Sequence, residues 1–188
     1  TNYNSQRGHL FKFSAQGSFQ GSYDFGWDIT PAVWQHDGTY SIILKDNHYE
    51  SGAYCNSSTN PFCAPVSDGP YYITQLSPML QPEWRFQSTN TQSCHRNPDG
   101  TLSCVSDHPN GFEWCINMPA VDSAGNVYAN NEDGNLYVIP QGHTGVFSTS
   151  ASHLFLNLAI GAAYTPLSIG PDGKLYTQND GHLFVAGN

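Results

Sequence analysis

Residues 117–139, reading NMPAVDSAGNVYANNEDGNLYVI, decide the fold class. The stretch holds three short apolar runs, at residues 119–121, 126–129 and 135–139. Between them stand Ser123-Ala124-Gly125 and Glu132-Asp133-Gly134. Glycine reaches positive φ without steric cost, so Ala-Gly and Asp-Gly between runs rich in Val, Ile and Tyr are hairpin signals. The stretch therefore reads as three consecutive antiparallel strands, a meander.

Working outward, the same phrases recur. The turn-plus-strand phrase G-x-[LY]-[FY] occurs at Gly8-His9-Leu10-Phe11, Gly69-Pro70-Tyr71-Tyr72, Gly134-Asn135-Leu136-Tyr137 and Gly181-His182-Leu183-Phe184. Three of these glycines follow Asp68, Asp133 and Asp180. A proline-led strand ending in a glycine turn runs from Pro31 to Gly38, from Pro119 to Gly125 and from Pro166 to Gly173. Pro119 and Pro166 are 47 residues apart, within the period of about 40–50 residues of propeller-type repeats. Pro31 and Pro119 are 88 apart, an excess assigned to two insertions, residues 50–67 and 87–111. Neither shows hydrophobic alternation, and each carries a cysteine pair.

Composition agrees with an all-β chain. Of 188 residues, 38% are hydrophobic, 13% aromatic and only 11% charged. Aromatics suit pleated, half-buried surfaces, and this balance is too apolar for disorder. Eighteen glycines and twelve prolines, spread along the chain, point to many turns and few helices. Residues 152–160 are apolar enough to be considered as a helix but fit an outer strand better. A net charge of −9 argues against a basic nucleic-acid-binding surface. No apolar run approaches the ~18 residues of a membrane span. Thr1, without a starting Met or a signal peptide, reads as the start of a processed chain or of a fragment.

The repeats divide the chain into a partial unit (8–26), a unit with the insertion 50–67 (27–86), a disulfide-bearing insertion (87–111), a unit (112–160) and a partial unit (161–188). In the second unit, residues 39–44 form the second strand and residues 82–86 lie in the fourth. The phrases MPAVDSAGNVYANNEDGNLYVI, TPLSIGPDGKLYTQNDGHLFVAG and SPMLQPEWRF resemble the PQQ-like β-propeller repeat, found in quinoprotein dehydrogenases and in related non-enzymatic propellers. The resemblance places Trp84 where that family has its blade-docking tryptophan. It implies about three and a half four-stranded blades, whereas rings close with about 4–8. An incomplete ring leaves two apolar faces uncovered. The expectation is therefore a portion of a longer propeller, or a ring completed by other copies or by a partner chain.

Five cysteines stand at positions 55, 63, 94, 104 and 115. The first four lie in polar, loop-like sequence without a C-x2-C pair, which suits disulfides in an oxidising compartment better than zinc. The simplest pairing is local, Cys55 with Cys63 and Cys94 with Cys104. The expected location is extracellular, periplasmic or at the cell surface. Cys115, beside Trp114 on an expected inner strand, reads as a buried small hydrophobe. Asn56-Ser57-Ser58 is a glycosylation sequon.

Catalytic signals are sparse. The resemblance implies, for the enzymatic members, PQQ beneath adjacent disulfide-linked cysteines and a calcium held by oxygen ligands. No adjacent cysteines occur, so no cofactor is expected. The positions open to such a role are Trp27 and Trp114 as a platform and Asp28 and Glu113 as carboxylates. Residues 122–126 and Asp172-Gly173 carry oxygen ligands but lack the terminal bidentate Glu of a calcium loop and read as hairpin turns. The eight histidines form no metal-binding spacing, and no G-x-S-x-G, P-loop or dinucleotide fingerprint is present. The expectation is a binding or scaffold module recognising a protein or ligand through its loops, with Arg96, Asp99, Asp107 and His108 as a possible recognition set. A PQQ-dependent dehydrogenase fragment and a self-assembling structural protein are the two alternatives.

Overall fold

The computed structural model describes residues 8–25, 30–47, 70–116, 118–161, 165–179 and 181–187. Trp27, Asp28, Cys55, Cys63, the sequon at Asn56 and the insertion 50–67 lie outside the described residues. Among those described there is no helix, and hence none long and apolar enough to cross a membrane. The protein is all-β.

The first hairpin pairs β1 (Gly8–Phe13) with β2 (Phe19–Phe25) around Gly17. Next come β3 (Ala32–His36), β4 (Thr39–Asp46), β5 (Tyr72–Leu76) and β6 (Pro82–Gln87), an antiparallel meander. Asp37 and Gly38 make the β3–β4 turn with φ of 47° and 75°, the two positive values a two-residue hairpin turn of matching twist requires. β7 (Gln92–Arg96) and β8 (Leu102–Ser106) form a separate hairpin. The stretch that opens the sequence reading is the meander expected of it: β9 (Ala120–Val121), β10 (Val127–Asn130) and β11 (Asp133–Ile139). After β12 (Gly145–Phe147), which joins β6 in parallel, β13 (Ser152–Ile160) pairs with β11 as the edge strand. A last meander comprises β14 (Ser168–Ile169), β15 (Leu175–Asn179) and β16 (His182–Ala186). Among the described residues these strands form five separate sheets.

The β3–β6 sheet is covered on both faces. Ile43, Ile73, Trp84 and Phe86 share a core with Val127, Ala129, Leu136 and Ile139 of the β9–β13 sheet, which also takes in Leu167 and Leu175. On the other face Ile42, Leu44, Leu76 and Leu80 meet Leu10 and Tyr23 of the first hairpin. Neighbouring strand residues point to opposite faces. A strand covered on both sides therefore reads as a run such as Ile42-Ile43-Leu44 rather than as an alternation. The first strands of successive meanders touch in turn, β3 with β9 and β9 with β14. Trp84 is buried in the shared core, edge-on to Phe147, with its indole N–H directed to Gln141 Oε1 at 3.4 Å.

Two features differ from the sequence expectation. Residues 87–111, read as a loop-like insertion, contain the β7–β8 hairpin, in which Cys94 lies directly opposite Cys104 and is bonded to it. Its five-residue strands lack an apolar face, and the covalent cross-link supplies what burial does not. The inner strand expected around Trp114 is not a strand. Residues 111–116 pair with no β-ladder. Instead the Asn47 amide donates to Trp114 O (2.8 Å) and accepts from Trp114 N (3.1 Å), and Asn131 Oδ1 accepts from Cys115 N at 3.0 Å. Side-chain amides here take the place of a neighbouring backbone.

Candidate functional site

The D-G-x-L-Y phrase carries its own lock. In Asp172-Gly173-Lys174-Leu175-Tyr176, Asp172 Oδ1 accepts from Lys174 N (3.2 Å) and Oδ2 from the Tyr176 hydroxyl (2.9 Å). In Asp133-Gly134-Asn135-Leu136-Tyr137 the same oxygens accept from Asn135 N (2.8 Å) and the Tyr137 hydroxyl (2.7 Å). Asp122 serves the preceding turn likewise, accepting from Asn126 N, Asn126 Nδ2 and the Tyr128 hydroxyl. Burial alone would raise the Asp122 carboxyl, but these hydrogen bonds outweigh it and hold it below the usual carboxylate range. Both sequences weighed against a calcium loop are turns, with their carboxylates occupied within the hairpin.

The Asp133 copy differs in one respect: Asn90 Nδ2 also donates to its Oδ2, at 2.9 Å. Asn90 lies in the lead-in to the β7–β8 hairpin, which this contact fastens onto β11. Arg96 Nη2 adds a hydrogen bond to Asn157 O of β13. At the neck of the hairpin Gly111 has φ +95°, and a Cβ there would lie 2.1 Å from Ser88 O, so only glycine lets the two chain passages close. The arm so pinned stands over the sheet and leaves a half-open cleft of about 420 Å³. Its floor is Asn135 and Tyr137 of β11 and His153 and Phe155 of β13, and its far wall is Gln92 with the Cys94–Cys104 disulfide.

Within the cleft the polar groups fall into two sets. Asp133 and Tyr137 are buried and bonded to each other, and burial together with the Asp133 charge pushes the Tyr137 phenol far above its ordinary value. The Tyr137 phenol is therefore not an acid at neutral pH. The Thr89 hydroxyl, the Gln92 side-chain amide and the His153 ring nitrogens have no hydrogen-bond partner among the described residues. Phe155 is 45% exposed. This second set is open to a ligand.

Of the recognition set expected from sequence, all four residues lie on or beside the hairpin but outside the cleft. Arg96 also donates to Gly100 O (2.9 Å), and Asp99 accepts from Thr101 N and Oγ1 (2.9 and 2.6 Å). Asp107 accepts from Ser93 Oγ at 2.8 Å and pairs with His108, whose ring stacks on Phe112 at 4.0 Å. Trp114 is fully buried, with Tyr137 edge-on at 5.0 Å and Phe86 at 6.1 Å. Glu113 lies next to it, 3.7 Å from Cys115 Sγ. Thr89, Gln92, His153 and Phe155 carry no motif. The one trace of them is that His153 and Phe155, two apart on an outer strand, share a face.

Two further polar groupings have the residue types of catalysis but not its arrangement. Ser41 Oγ donates to Glu83 Oε2 (2.8 Å), and His36 Nε2 lies 3.0 Å from the same hydroxyl. With its proton committed to Glu83, Ser41 can only accept from His36, the reverse of an activated nucleophile, and it is fully buried. Cys115 is a buried free thiol whose ionisation is pushed far up by burial first, then by Glu132 and Glu113, so it is no thiolate nucleophile.

The same pocket yields a pH prediction. Burial raises the Glu132 carboxyl above its ordinary value, with the Glu113 charge adding to this and the hydrogen bond from Cys115 opposing it. A carboxyl raised in the folded state favours folding below its unfolded pKa of about 4.3 and loses that contribution as pH rises through the folded value. Glu132→Gln is thus expected to melt higher than the parent at pH 8, with the difference closing by pH 4. A melting-temperature gap independent of pH would contradict this.

Comparison with models of known protein families gives no match to this chain, and comparison with curated proteins gives none.

Proposed function

We propose that this chain is a portion of a PQQ-like β-propeller, secreted or surface-exposed, that acts as a recognition module. The observation that carries the functional part is the cleft. A covalently clamped hairpin is fixed to a sheet by Asn90 and Arg96, yet the groups it leaves facing solvent are unpaired polar atoms and a bare aromatic ring. Rigid arms over a packed scaffold are where binding residues concentrate. The successive meanders, their first strands in contact and their shared apolar core, support the propeller part. The disulfide supports an oxidising location.

The test is an array of glycans and peptides probed with the labelled protein, its Phe155→Ala variant and a remote surface variant, Met79→Ala. Saturable binding lost on Phe155→Ala and kept on Met79→Ala is the expected result. Hits indifferent to Phe155→Ala would move recognition elsewhere, and an array without hits would remove the reading.

A second architecture has an observation of its own. Phe11, Phe13 and Phe19 on the first hairpin and Leu183 and Val185 on the last meander are exposed. Completion of the ring or sheet between chains would cover them. Light scattering across a hundredfold concentration range decides it, because a constant monomer mass is incompatible with completion by copies.

A further inference from the structure

The cleft also constrains the chemistry of its ligand. Among the described residues lining it Asp133 is the only formally charged side chain, and its two oxygens already accept from Asn135 N, Tyr137 and Asn90. Among these described residues a cation therefore finds no available carboxylate, and an anion finds no lysine or arginine. The ligand that fits is uncharged. It meets an amide (Gln92), a hydroxyl (Thr89) and an imidazole (His153), each able to donate and to accept. Groups of that kind match hydroxyls, which also do both. Beside them lies the exposed ring of Phe155, an apolar face for C–H groups.

A molecule with hydroxyls around its rim and C–H groups on its face is a sugar ring. Resting on the recognition-module reading above, we infer that the cleft binds an uncharged saccharide, one ring over Phe155 and its hydroxyls on Gln92, Thr89 and His153. At about 420 Å³ and open on one side, the cleft takes one or two rings and lets a longer chain leave it. The Cys94–Cys104 bond keeps the wall that bears Gln92 in place.

The experiment titrates the intact protein with maltose, cellobiose, lactose and N,N′-diacetylchitobiose, followed by NMR or calorimetry, with a peptide panel run in parallel. At least one disaccharide is expected to bind saturably below about 20 mM. Phe155→Ala should weaken it roughly tenfold and Gln92→Ala several-fold, without change in melting temperature because both side chains are exposed. Met79→Ala should leave affinity unchanged. Disaccharide binding insensitive to both cleft variants would overturn the assignment. Peptide binding lost on Phe155→Ala, with no disaccharide bound, would overturn the saccharide but keep the recognition face. Neither class bound would remove both readings.

Discussion

Trp114→Ala is expected to lower the stability of the folded chain by about 3–5 kcal/mol, the range for truncating a large buried aromatic. The indole is fully buried in the core shared by the two larger sheets, against Phe86 and Tyr137. Alanine leaves a cavity that rigid strands on either side cannot collapse to fill. A domain is stable by only about 5–15 kcal/mol in all, so the variant should unfold at markedly lower denaturant. Trp114→Phe separates size from polarity. The buried indole N–H has no hydrogen-bond partner among the described residues, so its removal sheds an unpaired donor that offsets part of the lost packing. Its cost should stay below about 2 kcal/mol. Urea unfolding of the three proteins checks this. Equal losses for Ala and Phe would mean that the ring's volume is not what the site uses.

Asn47→Leu is expected to cost about 2–5 kcal/mol. The amide meets both Trp114 N and Trp114 O, and leucine of similar size leaves both in the interior unpaired, at about 1–3 kcal/mol each. Asn47→Asp keeps the acceptor for Trp114 N but sets an oxygen against Trp114 O. Its deficit should therefore be larger at pH 8, where the carboxylate is ionised, than at pH 4. Denaturation at the two pH values measures it, and a loss under 1 kcal/mol for the leucine variant would show that the chain near Trp114 has other partners. Because Asn47 and Trp114 act on one segment, the double variant should cost less than the sum of the two singles.

These two residues mark where the sequence was legible and where it was not. The hairpins at Gly38, Gly125, Gly134 and Gly173 could be read because each turn's geometry is a local demand, met by glycine at φ of 75–85°. The edge strand β13 was legible for the same kind of reason, from an apolar pattern within nine residues. Lys45-Asp46-Asn47 could not be read. Three polar residues in a row look like surface, yet all are buried. Their partners come from far along the chain: Tyr23 and Thr74 donate to Asp46 Oδ2, with Arg85 Nε 3.6 Å away, and Trp114 meets Asn47. Phe112-Glu113-Trp114-Cys115-Ile116 failed in the opposite sense. Its apolar character was plain, but a strand needs a neighbouring backbone, and side-chain amides answer it here.

The candidate site divides the same way. The local Cys94–Cys104 pairing and the turn role of Asp133 follow from short spacings. The cleft does not, because Gln92 and Phe155 stand on strands of different sheets. Arg96, Asp99, Asp107 and His108 stood out as a polar set, yet their polar groups are taken up within the hairpin and, for Arg96, by the sheet as well. By itself the sequence determined the all-β class, the meanders and their turns, since each depends on residues within a few positions of one another. Only the tertiary structure decided which polar groups are left open to a ligand, because that depends on which partners folding brings to each of them.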